Sequence, residues 1–263
     1  MKLACLLYSL MLVVQIPSAA SDRTSDNTSA DDLYQQARAL YEKDEKQEHT
    51  TEVVDLLNRA LVSSPDHLPS YLLLGYVHQN AGSLVEAIES YRTAARICPD
   101  SAEVRTYLAR AFMDANQDDE ALRELAISLE LDPQSFDVRL NLGVVLERKG
   151  LHEEAIEQLR EAVAILPDNP RGHFNLALSL HGAGHYEEAE KEYRKVLDLD
   201  QNDFGTHYNL GITYEVQGRY AEAVSEYEAA LQLEPSFADA YNNLGNCYRR
   251  LGRHAEAIVA FQA

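Results

Sequence analysis

From residue 68 onward the polar and apolar residues carry two nested periods. Locally, apolar side chains recur at three- and four-residue intervals, the spacing that puts them on one face of a helix. Over a longer range the whole pattern returns every 34 residues. An alanine preceded by glutamate marks it, at Ala87, Ala121, Ala155, Ala189, Ala223 and Ala257. If that alanine is position 20 of the repeat, position 7 is Leu74, Leu108, Leu142, Leu176, Leu210 and Leu244. Position 8 is small (Gly75, Ala109, Gly143, Ala177, Gly211, Gly245) and position 24 bulky (Tyr91, Leu125, Leu159, Tyr193, Tyr227, Phe261). At 100° per residue, positions 4, 7, 8 and 11 share one helical stripe, and positions 20, 24, 27 and 28 share another. Each unit therefore predicts two helices that approach closely where the small residues lie. Position 15 is Gly82, Gly150, Gly184, Gly218 and Gly252, with Asn116 in the third unit, and predicts a left-handed residue that ends the first helix. Ser101, Ser135, Asn169 and Asp203 stand as N-caps before the next helix, and Pro170 fits its first turn.

Position 32 adds Pro99, Pro133, Pro167 and Pro235, with Gln201 as the departure. Together these positions resemble the tetratricopeptide repeat (TPR), a 34-residue helix–turn–helix unit. The resemblance implies an all-α fold, a right-handed α-solenoid of stacked helix pairs. It divides the chain into repeats at 68–101, 102–135, 136–169, 170–203 and 204–237, and a truncated seventh at 238–263. One more period reaches back to Tyr34. There Leu40, Leu57, Ala60 and Pro65 fit, but Tyr41 and Val53 replace the small residues, so 34–67 is read as a degenerate first repeat. Position 4, often Trp in TPRs, is Tyr71, Arg105, Arg139, His173, His207 and Tyr241, in a chain that has no Trp at all.

The first 33 residues read differently. Lys2, an apolar run from Leu3 to Ile16, and small residues at Ser18 and Ala20 predict a signal peptide over 1–20, too short to span a bilayer comfortably. Export to a periplasm or the outside follows, with no membrane insertion after cleavage; an uncleaved N-terminal anchor is the alternative. Residues 21–33, rich in Ser, Thr and Asp, predict a linker, and Asn27-Thr28-Ser29 matches an N-glycosylation sequon. At the other end the sequence stops at position 26 of a repeat. That predicts either a longer natural chain or an end covered by a partner, self-association among the options.

Composition narrows the partners. A net charge of −20 disfavours nucleic acid, whose phosphates need clustered Lys and Arg. Cys98 and Cys247 lie more than four repeats apart and are expected to be separate free thiols. His181 and His185 have the i, i+4 spacing of a metal pair, but Gly182 and Gly184 interrupt the helix near them and no ligand set is completed, so neither a metal nor another cofactor is expected. No phosphate loop or nucleophile motif appears, and the chain is expected not to be an enzyme.

Candidate chemistry lies on the first helix of each repeat, which lines the concave face of a solenoid. At position 6, Leu73 and Tyr107 give way to Asn141, Asn175, Asn209 and Asn243. A primary amide both donates and accepts, matching the N–H and C=O of an extended peptide. Leu140 and Val144, Phe174 and Leu178, Tyr208 and Ile212, at positions 5 and 9, would give the groove an apolar floor. The four asparagines are similar to the peptide-gripping asparagine ladder in the repeats of the O-linked N-acetylglucosamine transferase family. Asn-Leu-Gly is also a frequent TPR consensus in which the amide is solvated or packed on the next repeat, and the sequence leaves both readings open. The carboxylate clamp of other TPRs needs Lys or Arg with Asn at positions 5 and 9, which are mostly apolar here apart from Arg110, Asn242 and Asn246. The expected function is a scaffold that binds protein or peptide segments and supports assembly of exported or envelope complexes. The alternative is the substrate-binding region of a larger enzyme, such as a peptide O-glycosyltransferase.

Overall fold

The computed structural model describes residues 28–43 and 49–263, so the expected signal peptide, most of the linker and Asn27 of the sequon lie outside the described residues. The described residues form fourteen α-helices and no strand. The chain divides into two compact units at Pro133/Gln134.

The first unit holds α1 (Ala30–Lys43), α2 (Thr50–Ser63), α3 (Leu68–Asn80), α4 (Leu84–Ile97), α5 (Ala102–Asp114) and α6 (Asp118–Leu131). The second holds α7 (Phe136–Arg148), α8 (His152–Ile165), α9 (Pro170–Gly182), α10 (Tyr186–Leu199), α11 (Phe204–Val216), α12 (Tyr220–Leu233), α13 (Ala238–Arg250) and α14 (His254–Gln262). Both are α-solenoids in which each odd-numbered helix packs on the even-numbered helix that follows it. From the second repeat on, every first helix begins at position 1 and every second helix at position 17, as the period predicts.

The helix ends follow from the residues placed there. Gly82, Gly150, Gly184, Gly218 and Gly252 have φ between +73° and +83°, and Asn116 sits at +54°, so the first helices stop in the left-handed region that these residues tolerate. Ser101 and Ser135 accept from the Val104 and Val138 amides, Asn169 from Arg171 and Asp203 from Thr206. The first repeat departs from the rule. α1 begins at Ala30, inside the stretch expected to be linker, and Leu33 is buried. A reciprocal cap explains the early start: Ser29 Oγ accepts from the Asp32 amide at 3.1 Å, while Asp32 accepts from the Ser29 amide at 3.4 Å.

Core packing explains the small residues. Ala87, Ala121, Ala155, Ala189 and Ala223 are fully buried. A Cβ added at Gly211 would lie 2.6 Å from the Tyr227 ring, at Gly75 2.7 Å from Tyr91, and at Gly143 2.4 Å from Leu159. The helix pairs thus close to a distance that only a small side chain permits, and the bulky residue at position 24 fills the remaining space. Each such buried ring or leucine contributes roughly 1.5–3 kcal/mol.

The place of the missing tryptophan is filled by a polar latch. Position 4 of the first helix meets position 23 of the second: Arg105 Nη1 with Glu124 at 2.8 Å, Arg139 Nη1 with Gln158 at 3.1 Å, His173 Nδ1 with Glu192 at 2.6 Å, and His207 Nδ1 with Glu226 at 2.7 Å. The far side of the same group reaches back to a carbonyl in the preceding loop, Pro99 for Arg105, Pro167 for His173 and Gln201 for His207. The hydrogen bond to Glu226 raises the His207 pKa above its usual value, against the opposing effect of burial.

Cys247 is a free, buried thiol, pushed up to about 12 by burial and by the nearby Glu215 carboxylate. Cys98 is disulfide-bonded, so the expectation of two free thiols holds for Cys247 and fails for Cys98.

Candidate peptide-binding face

The four asparagines all fall in the second unit, on α7, α9, α11 and α13, and these first helices pack side by side in sequence order. Caps at Ser135, Asn169 and Asp203 set where three of them start, and hence where position 6 points.

Each amide is half-buried. Asn175 Nδ2 donates to the Arg171 carbonyl and Asn209 Nδ2 to the Gly205 carbonyl, both at 2.8 Å. These bonds one turn back along the helix fix the amide plane. They leave one N–H and, among the described residues, the whole acceptor oxygen without a partner. Asn243 Nδ2 donates instead to the Tyr208 hydroxyl on the neighbouring first helix, at 3.2 Å. Burial, then the Asp239 carboxylate, raises the Tyr208 pKa, so the hydroxyl stays protonated and keeps its own proton to donate. Asn141 has no hydrogen bond among the described residues. The face therefore offers four amides in a row, each able to accept from a peptide N–H and to donate to its C=O.

Beside them, Phe174, Leu178, Tyr208 and Ile212 are half-buried and pack on the core with one edge outward. Phe174 meets Tyr193 edge-on at 6.0 Å, and Tyr208 leans on Phe237 at 4.6 Å, so both rings are held in place. Val144 is also half-buried. Leu140 is not part of this floor. It is only 1% exposed and belongs to the core cluster with Phe136, a correction to the expectation from its position. An aliphatic side chain there is short enough to sink below the surface, whereas the rings at Phe174 and Tyr208 extend from the core to solvent.

His181 and His185 do not converge. His181 Nδ1 lies 3.0 Å from Thr213 Oγ1, and His185 Nε2 lies 3.1 Å from Glu153. Burial lowers the His181 pKa, the Glu147 carboxylate opposing it, so the ring is neutral near pH 7. Two contacts had no forecast from sequence: the Tyr208–Asn243 bond, and a network in which Glu190 accepts from Arg194, Tyr214 and Arg219. Burial alone would raise the Glu190 carboxyl; the three hydrogen bonds outweigh it and hold the pKa below its usual value. The Arg219 guanidinium also stacks 4.2 Å over the Tyr214 ring. The available signal was a tyrosine at position 11 and an arginine at position 16 in both the sixth and seventh repeats, a pairing that recurs as Arg253 over Tyr248.

The tetratricopeptide repeat family matches residues 25–102, 108–170 and 208–263, and a second TPR family matches 180–218. The chain belongs to the tetratricopeptide repeat family. Among solved TPR structures, one from Parabacteroides merdae is similar to it with a TM-score of 0.72 at 16% identity, over 89% of this chain and 91% of that one. MamA from Desulfovibrio magneticus RS-1 is similar with a TM-score of 0.61 at 22% identity, over 65% of this chain and 96% of its own. YrrB, a TPR protein described as having an unusual peptide-binding site, is similar with a TM-score of 0.59 at 19% identity, over 70% of this chain and 95% of its own. At these identities the likeness shows the TPR fold. No curated protein matches the chain.

Proposed function

We propose that this TPR protein is a non-catalytic scaffold whose second unit holds extended peptide segments of partner proteins. The observation that carries the reading is the row Asn141, Asn175, Asn209 and Asn243 on four adjacent first helices, with acceptor oxygens unengaged and two of the amides oriented by their own helix. First helices spaced by roughly 8–10 Å match about three residues of extended chain. Such a row grips backbone and leaves sequence choice to the rings and aliphatic side chains beside it. The peptide-binding site of YrrB, on the same fold, supports the class of ligand. The N-terminal sequence adds export to the proposal, with the protein serving assembly of periplasmic, envelope or secreted complexes.

Replacing all four asparagines by alanine is the test. Binding of a randomised, fluorescein-labelled peptide pool should weaken on the order of tenfold or more, equivalent to about 1.4 kcal/mol. The melting temperature should barely move, because the amides lie at the surface. Unchanged affinity would sink the ladder reading. N-terminal sequencing of the mature protein tests export, and a start at Met1 would refute cleavage.

A further inference from the structure

At the starts of α11 and α13 the chain departs from its own repeat, and the two departures meet at one place. The residue before α5, α7, α9 and α11 is Ser101, Ser135, Asn169 and Asp203, each of which caps its helix through the side chain. Before α13 it is Phe237, which makes no cap bond. A ring therefore stands where helix stability favours a short polar residue. Position 2 is a charged residue or proline in the other repeats from the second on (Pro69, Glu103, Asp137, Arg171, Asp239), but Gly205 in the sixth. A Cβ at Gly205 would touch only the Asp203 carboxylate, so core packing does not demand the glycine, which leaves the face beside Asn209, one turn on, uncovered. The rings gather there. Phe204 and Tyr208, one turn apart on α11, both meet Phe237, at 5.6 Å and 82° and at 4.6 Å and 59°. Phe204 is 41% exposed. Asn243, the last amide of the row, donates to the Tyr208 hydroxyl, and Asp239 lies one turn before it on the same face of α13. Asp239 is exposed and pairs with no cation among the described residues.

We propose that Phe204, Tyr208, Phe237 and Asp239 form a subsite for a lysine or arginine side chain of the peptide held by Asn209 and Asn243. The inference rests on the ladder reading above and adds to it the residue class that the face selects. An unpaired carboxylate at the edge of an aromatic surface fits an occupant that is apolar along its stem and cationic at its tip. The stem lies on the rings, the charge pairs with Asp239, and the ring faces attract the cation as well. A wholly apolar side chain would cover the same rings but strip water from Asp239 without giving it a partner. An acidic one would be repelled. The placement agrees with the ladder, since one turn of helix puts Asp239 about 6 Å along the axis from Asn243, within the length of a basic side chain whose backbone the amide holds.

The test uses the full chain in about 0.15 M salt, where charges beyond about 8 Å are largely screened. Two fluorescein-labelled nonapeptide pools are randomised over uncharged residues, with a central lysine in one and a central norleucine in the other. Fluorescence anisotropy should show the lysine pool binding at least about threefold more tightly. Asp239→Asn should abolish that preference, and the norleucine pool should keep its wild-type affinity for this variant, which reads the ladder alone. Phe237→Ser should reduce the preference even though serine restores the cap that the other helices carry. Glu161→Gln removes an exposed acid from α8, a second helix without a ladder asparagine, and should leave the preference intact. Equal affinity for the two pools, a lysine preference that survives Asp239→Asn, or one lost equally in Glu161→Gln overturns the subsite and leaves the ladder standing. No binding of either pool overturns both.

Discussion

The two units repeat the same core pattern and differ in the face they show. In both, a leucine at position 7, a small residue at position 8 and a buried alanine at position 20 close the helix pairs, and glycine or Asn116 at positive φ ends the first helices. The division at Pro133/Gln134 falls where position 6 changes from Leu73 and Tyr107 to four asparagines. The first unit presents tyrosine rings and the Arg110 guanidinium, unpaired among the described residues; the second presents a row of amides beside half-buried rings. A repeat protein can therefore hold its packing positions constant and rewrite its open face, because the two sets of positions occupy opposite sides of the same helix.

If the units differ only at the face, equivalent core changes must cost the same in each. Leu108→Ala in the first unit and Leu210→Ala in the second remove position-7 side chains that are 2% and 1% exposed, and each should cost about 2–5 kcal/mol in urea denaturation. A loss confined to one unit would break the equivalence. Gly75→Ala and Gly211→Ala press a methyl against Tyr91 and Tyr227, and each should cost about 1–3 kcal/mol. Ala177 is accommodated against Tyr193 at the same repeat position, which places the expected cost toward the lower end.

The smallest effect sharpens the contrast through pH. The latch of the first unit joins Arg105 to Glu124 and contains no histidine, the side chain whose ordinary charge change falls between pH 5 and pH 8. His207, with its pKa raised by Glu226, binds its proton more tightly folded than unfolded. Its stabilising contribution is complete below the unfolded value near 6.5 and is lost as pH rises through the folded value. Denaturation midpoints of wild type and His207→Gln should therefore converge between pH 6 and pH 9, while the difference between wild type and Arg105→Gln stays constant. Parallel curves for the histidine variant would refute the linkage.

The 34-residue period made most of the fold legible, because packing positions, helix ends and caps each impose a residue type that can be read one position at a time. What it missed depends on residues far apart in number. The Ser29–Asp32 cap moved the start of α1 into a stretch whose composition reads as linker. Leu140 looked like groove floor because position 5 fixes an angle around the helix but not how far a side chain reaches. The position-4 latch needs a partner 19 residues on, and the ring group of Phe204, Tyr208 and Phe237 needs two repeats at once. The asparagines were visible as a series, whereas the orientation of the Asn175 and Asn209 amides follows from hydrogen bonds one turn back, which the residue type alone does not dictate.

The latches also bear on assembly order. Chains of look-alike segments risk closing with the wrong neighbour more than they risk failing to collapse. Arg105, His173 and His207 each touch their own second helix and the loop that precedes their repeat, so each is complete only when three consecutive segments are in register. Docked one repeat out of place, Arg105 would face Ser90 or Gln158 instead of Glu124, whereas His173 and His207 would each find the other's glutamate. At the Arg105 junction the polar residue at position 4 thereby doubles as a check on register.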